Sequence, residues 1–276
     1  MQSIIAIQGI QGSFHHQVAL NYFFSDIQLL ECLTFDALAD ALVSGEATQA
    51  VMAIENSIAG SIIPNYALLD RHNLQIIGES YLNIEHNLMG LKGQSIADLK
   101  EVHSHPMALL QCKAFFSDYP HIRLVEAEDT ADIARKINKE QLLGIGAIAS
   151  VKASDIFDLK LYAESIQTIK NNVTRFVIIQ AKGGALVEEK QINKAALKFV
   201  LDHQRGSLAA ILNVMSDCQL NLTKIQSLPV IETPGKYAFF VDVTFDVFDQ
   251  YKKAQSIIEI MATEFKILGE YPNNKI

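Results

Sequence analysis

From residue 4 to about residue 180 one pattern recurs: a short apolar run, a polar or glycine-bearing turn, then an amphipathic stretch. Ile4–Ile7 leads into Gly9-Ile10-Gln11-Gly12-Ser13-Phe14 and a helix through Val18–Phe24. Ala50–Ile54 leads into Glu55-Asn56-Ser57-Ile58-Ala59-Gly60-Ser61 and a helix through Tyr66–Leu69. Glu101–His103 leads into Ser104-His105-Pro106 and the helix Met107–Phe116, with Pro106 suited to a first helical turn. Arg123–Val125 leads into Glu128-Asp129-Thr130 and the helix Ala131–Ile137, and Ala147–Ala149 leads into Ser150 and a helix from near Lys152. Strands alternating with helices predict an α/β fold with parallel sheets. In such folds ligands sit beyond the carboxyl ends of the strands, where helix N-termini favour anions. The Ser, Thr, Asn and His residues at these turns read either as helix caps or as a carboxylate-binding cleft.

The character changes at 183–194, where Gly183-Gly184 and Glu188-Glu189-Lys190-Gln191 read as a polar linker. Residues 195–276 follow another order: strand Ala196–Leu201, helix Gly206–Ser216, strands Leu220–Val230 and Tyr237–Phe245 joined by a Pro234-Gly235 turn, helix Tyr251–Glu264, strand Phe265–Leu268. That βαββαβ order is ferredoxin-like.

A net charge of −8 speaks against nucleic acid as the main partner. No stretch approaches the roughly 18 apolar residues of a membrane span, and no signal peptide precedes the first strand. Cys32, Cys112 and Cys218 are odd in number and far apart, which suits reduced thiols in a cytoplasmic protein.

The run Asn171-Asn172-Val173-Thr174-Arg175-Phe176 sets a hydroxyl, a guanidinium and an aromatic ring side by side, although it also reads as an ordinary strand start. A hydroxyl can donate to a leaving oxygen, an arginine can hold a carboxylate, and a phenyl ring can pack on a flat ring. Those are the needs of dehydration of a small, cyclic, doubly anionic acid. Glu55-Asn56-Ser57 offers a carboxylate, an amide and a hydroxyl, with Glu55 as orienter or acid. Asp129-Thr130 is most simply a cap. His15 and His16 point to different faces of a helix and do not suit a shared metal. His103 and His105 have no third ligand placed by sequence, and His105 suits a structural or substrate-contacting place at a helix start. No nucleophile elbow or activated cysteine is present.

Taken in order, these segments resemble the prephenate dehydratase family over nearly the whole chain. The matching runs are Gly9–Phe14, Ile54–Ser61, Ser104–Cys112, Asp129-Thr130-Ala131, Ala147–Ser150 and Asn172–Phe176. The resemblance implies a two-lobed, periplasmic-binding-protein-like catalytic domain over 1–182, a linker over 183–194 and an ACT regulatory domain over 195–276. It implies conversion of prephenate to phenylpyruvate, water and carbon dioxide, without cofactor or metal. Thr174, Glu55 and Asn56 are the implied catalytic groups. Ser13, Phe14, Ser57, Gly60, Ser104, His105, Arg175 and Phe176 are the implied substrate contacts, with Arg175 pairing a carboxylate or ordering the loop and Phe176 packing on the ring or in the core. Phenylalanine would bind between paired ACT domains of a homodimer or homotetramer, through Gly206, Ser207, Leu208, Gln226, Ser227, Leu228 and Pro229. Ile10, Ser13 and His15 stand where the family usually has Pro, Thr and Ser. Gln226 and Leu228 replace a Glu and an Arg of the regulatory motif, which puts feedback in doubt. Arogenate dehydration, or non-catalytic binding of a small anion, are the alternatives.

Overall fold

The computed structural model describes residues 3–24, 27–184, 187–202, 204–230, 233 and 235–274. It divides into two compact units, one of Met1–Ile63 with Ser80–Phe176 and one of Pro64–Glu79 with Val177–Ile276. Residues 64–79 join the C-terminal unit because the strand they lead into pairs there.

In the first unit β1 (Ile4–Gln8), α1 (Phe14–Phe23), β2 (Gln28–Cys32), α2 (Phe35–Ser44) and β3 (Gln49–Asn56) form one lobe. β1 runs parallel to both β2 and β3. Ser13 caps α1 by accepting the His16 N–H, and Thr34 caps α2 by accepting that of Ala37. Gly45 ends α2 in the left-handed conformation that favours glycine. The two-residue β4 (Gly60–Ser61) folds back antiparallel on β3. α3 (Ile63–Arg71) and β5 (Leu74–Asn83) then carry the chain into the second unit and back.

The other lobe of the first unit contains β6 (Asn87–Gly90), β7 (Glu101–Ser104), α4 (Pro106–Cys112), β8 (Arg123–Glu126), α5 (Thr130–Glu140), β9 (Ile145–Ala149), α6 (Val151–Ile156) and β10 (Lys160–Ala163). Its five strands lie in the order β10-β6-β9-β7-β8. β7 is parallel to β8 and β9, as the alternation predicts. β6 and β10 are antiparallel additions. They arise where the chain enters and leaves this lobe, outside any strand–turn–helix repeat. Leu88, Val102, Leu109, Cys112 and Ile148 are buried on one side of the sheet and Met89, Ala134, Ile137 and Ala147 on the other. The helix expected over Met107–Phe116 stops at Cys112, and a separate 3-10 turn covers Phe115–Asp118.

β11 (Val173–Ala181) begins in the first unit and ends in the second. The second unit continues with β12 (Lys194–Val200), α7 (Ser207–Asp217), β13 (Asn221–Pro229), β14 (Tyr237–Thr244), α8 (Phe248–Met261) and β15 (Glu264–Tyr271). Its antiparallel order β13-β14-β12-β15 is that of a ferredoxin-like sheet. Gly269 of β15 pairs with Ile76 of β5. A Cβ at Gly269 would fall 2.6 Å from that of Ile76, so the pairing requires glycine. Phe199, Ile211, Val243 and Tyr251 centre the core, with the Tyr251 and Phe245 rings stacked at 4.6 Å. Of the expected linker, Glu189–Gln191 is a 3-10 turn and Lys194 already belongs to β12; residues 185 and 186 lie outside the described residues, as does Pro234 of the expected turn. No helix among the described residues is long and apolar enough to cross a membrane.

Candidate active site

A cavity of about 330 Å³ opens in the first unit, with walls from both of its lobes. This is the volume range of small-molecule sites. The first lobe supplies Ser13, Phe14, Asn56, Thr174 and Phe176; the other supplies His86, His105, Gln111 and Asp129. Asn172 lines it where the chain returns to the first lobe.

The loop after β1 closes against the second lobe by close backbone approach. Gly9 has φ +86°, and a Cβ there would lie 2.7 Å from Asp129 Oδ2. Gly12 has φ +87°, and its Cβ would come within 3.0 Å of the Ala153 backbone. The Ser150 hydroxyl donates to the Gly12 carbonyl at 2.6 Å and also caps α6. Asp129 caps α5 by accepting the N–H groups of Ala131 and Asp132, both at 2.8 Å. Burial raises its carboxyl above the usual range, against the lowering effect of those two bonds.

The polar side of the cavity is a chain of side-chain hydrogen bonds whose direction can be assigned. Asn56 Oδ1 accepts the backbone N–H groups of Ile58 and Ala59 at 2.9 and 2.8 Å. That sets its amide group, so Nδ2 is the donor to Asn172 Oδ1 at 2.7 Å and to Thr174 Oγ1 at 2.9 Å. Both hydrogens of Nδ2 are then used. Thr174 Oγ1 accepts that bond and lines the cavity, and a hydroxyl that accepts can also donate. Asn172 Nδ2 donates onward to Gln111 Oε1 at 2.9 Å, and His86 Nε2 meets the same oxygen at 2.9 Å.

The aromatic side is set by His15 and Phe176. The His15 ring meets Phe176 edge-on at 5.0 Å and Phe35 at 5.5 Å. Its Nε2 accepts the Ala53 N–H, so the ring is neutral, and burial lowers its pKa to about 3. His16 turns the other way and its Nδ1 accepts the Gly12 N–H at 3.0 Å. Burial and the charge of Lys152 lower its pKa, with Glu31 opposing.

The family model for prephenate dehydratase matches residues 5–184. The arogenate dehydratase/prephenate dehydratase 2, chloroplastic, of Arabidopsis thaliana is 35% identical over 97% of this chain and 72% of its own length. The chain belongs to the prephenate dehydratase family. Among solved structures, one described as a novel type of quorum quenching acylase, GqqA, shares 26% identity and a TM-score of 0.86 over 98% of both chains. The prephenate dehydratase of Arthrobacter aurescens, solved with L-Phe, shares the fold at a TM-score of 0.87 and 23% identity, over 98% of this chain and 90% of that one.

Of the residues that the family resemblance implies, Ser13, Phe14, Asn56, His105, Thr174 and Phe176 line the cavity. Besides lining the cavity, His105 has a structural role, since its Nδ1 accepts the Met107 N–H that opens α4. Five others are not brought to the lining. Arg175 is buried between two cavity-lining neighbours on β11, and strand alternation turns it to the opposite face. Ser104 is fully buried and donates to the Ile148 carbonyl at 2.7 Å, tying β7 to β9. Ser57 is exposed and braces the loop, accepting the Val173 N–H at 2.9 Å. Glu55 and Gly60 sit in the small β3–β4 ladder, opposite Ser61 and Asn56 respectively. The sequence reading missed His86 and held Gln111 and Asn172 only as members of longer motifs. Their common signal is three-dimensional, because amide partners 61 and 116 residues apart leave no spacing pattern.

Of the residues implied for phenylalanine, Gly206, Ser207 and Leu208 border hollows at the start of α7. Gln226, Ser227, Leu228 and Pro229 lie on β13, the end strand of its sheet, and outside those hollows.

Proposed function

We propose that the first-unit cavity binds prephenate and converts it to phenylpyruvate, water and carbon dioxide, a step of phenylalanine biosynthesis. The bond from the ring to its carboxylate breaks, and the electron pair enters the ring. The C4–O bond breaks with its pair leaving on oxygen, which takes a proton and departs as water. The carboxylate carbon departs as carbon dioxide and the ring becomes aromatic. The observation that carries this reading is the hydrogen bond that Thr174 Oγ1, on the cavity wall, accepts from Asn56: it holds the oxygen in place while the hydroxyl keeps its own hydrogen to donate. A threonine is a poor acid; its effect is that of a preorganised donor that strengthens as charge develops on the leaving oxygen. Asn56 orients Thr174, Gln111 offers amide hydrogens to a substrate oxygen, and Phe14 and Phe176 face the ring.

Acyl transfer, the activity named for one structural relative, requires an activated nucleophile. Ser13, the serine lining the cavity among the described residues, uses its oxygen to cap α1 and makes no hydrogen bond to a histidine ring. Dehydration is therefore the better-supported reading. Residues 1–182 would form the catalytic domain, 183–194 the linker and 195–276 an ACT domain that binds phenylalanine in a cytoplasmic homodimer or homotetramer. The buried, unbridged cysteines are in keeping with a reducing compartment.

The test is to incubate the purified protein with prephenate, without metal or nucleotide, and to follow phenylpyruvate, with arogenate in parallel. Turnover of prephenate with slower turnover of arogenate is expected; turnover of neither removes the reading. A flat response of that activity to phenylalanine would remove the effector site.

A further inference from the structure

One member of the polar wall takes no part in the bond breaking itself. His86 is buried, lines the cavity, and has a ring nitrogen, Nδ1, without a hydrogen-bond partner. A buried acceptor left without a partner is destabilising, so its presence calls for a reason.

The reason follows from the direction of the hydrogen-bond chain. Starting from the two backbone N–H groups that fix Asn56, each link is determined in turn, until Gln111 Oε1 receives Asn172 Nδ2. An amide oxygen only accepts, so the His86 nitrogen 2.9 Å away must carry hydrogen. A neutral ring has one N–H, and placing it on Nε2 leaves the lone pair on Nδ1. The bare Nδ1 is the consequence of using Nε2 as a donor. The residue is held at its backbone and at its ring face. Its backbone N–H donates to the buried Gln167 Oε1 at 2.9 Å, and Phe14 meets it edge-on at 5.9 Å. Burial lowers the imidazole's pKa, with the Gln111 bond opposing and the nearby His105 acting in the same direction as burial.

We infer that His86 is a positioning residue: its Nε2–H and the Asn172 amide together pin Gln111 Oε1, so that Gln111 Nε2 presents its hydrogens to an acceptor oxygen of the substrate. This rests on the proposed dehydration at the same cavity. The chain then has two functional ends. At one end Thr174 acts on the leaving oxygen, where charge appears only during reaction. At the other, Gln111 holds an oxygen present from the start, so loosening it weakens binding more than turnover.

The experiment has two parts on the full-length chain. Nitrogen NMR of the histidine rings, with His86 assigned by its loss in His86→Gln, is expected to show a neutral ring protonated at Nε2 at pH 7. A ring protonated at Nδ1, or a charged one, overturns the inference without any assay of activity. Kinetics on prephenate then compare His86→Leu, which has no donor, with His86→Gln, whose amide can donate to Gln111. His86→Leu is expected to raise KM by about tenfold, the equivalent of one lost hydrogen bond, with kcat within about threefold. His86→Gln is expected to recover most of that KM with an unchanged pH profile. An unaltered KM in His86→Leu, or equal impairment of both variants, overturns it. Failure of the wild-type protein to turn over prephenate would remove the dehydration reading and leave the tautomer result standing.

Discussion

The two units of this chain bury polar side chains to different ends. In the first, amides and a hydroxyl form a directed series that finishes with free hydrogens facing a cavity. In the second, charges satisfy one another. Lys194 Nζ lies 2.9 and 2.8 Å from the two oxygens of Glu79, with the side chains 2% and 0% exposed. Lys198 bonds Asp70 and Glu264, each at 2.6 Å, and Lys266 joins Asp70 at 3.0 Å. Burial alone would raise the Asp70 carboxyl; its bonds to Lys198 and Lys266 outweigh that and hold it below the usual range. A polar group whose capacity is met within the protein serves the fold. One left with an open donor beside a cavity serves a ligand.

Breaking the closed set in the second unit is expected to have the largest effect. Lys194→Met removes the cation bonded to both oxygens of the buried Glu79 and should lower stability by about 3–5 kcal/mol in denaturant titrations, while Lys194→Met combined with Glu79→Gln recovers much of it. Equal stability of the single variant and wild type would mean the pair contributes nothing. In the first unit the corresponding change is Asn56→Asp. It keeps an acceptor for the Ile58 and Ala59 N–H groups but replaces the donor to Thr174 with an oxygen. The Thr174 hydrogen would then turn to the carboxylate, and kcat should fall by roughly 10²-fold with the fold retained. A kcat near wild type would mean that the direction of the chain is immaterial.

A smaller effect concerns pH. His15 is neutral in the folded protein, with a pKa of about 3 against 6.5 when unfolded. The unfolded chain therefore takes up the proton first. The stabilisation is fully present above pH 6.5 and is lost as pH falls from there toward 3. Wild type should lose stability on acidification faster than His15→Leu, by up to about 1.4 kcal/mol per pH unit. Parallel stability curves for the two would exclude a buried neutral histidine. The smallest expected change is Ser104→Ala. It removes one buried bond to Ile148 and should cost about 1 kcal/mol of stability, with KM unchanged because the hydroxyl faces a neighbouring strand. A raised KM would return Ser104 to the substrate contacts.

Much of the architecture was legible because strand–turn–helix alternation and the βαββαβ order are periodic along the chain. The capping roles of Ser13, Asp129 and Ser150 were legible for the same reason: a cap is a local event. β6 and β10 were not, since their partners are distant and their runs are short. At the cavity, Thr174 and Phe176 lie two apart on one strand and share a face. Arg175, between them, falls on the other face by the same rule. His86, Gln111 and Asn172 are joined only through tertiary contacts, and a buried amide pattern has no counterpart in composition or spacing.

The central claim is that the Thr174 hydroxyl hydrogen assists departure of the leaving oxygen. Steady-state turnover of prephenate by Thr174→Ala and Thr174→Ser tests it most directly. A fall in kcat of roughly 10²-fold or more in the alanine variant, with KM little changed and much of the rate restored by serine, is the expected result. A folded alanine variant that turns over prephenate at the wild-type rate would contradict it.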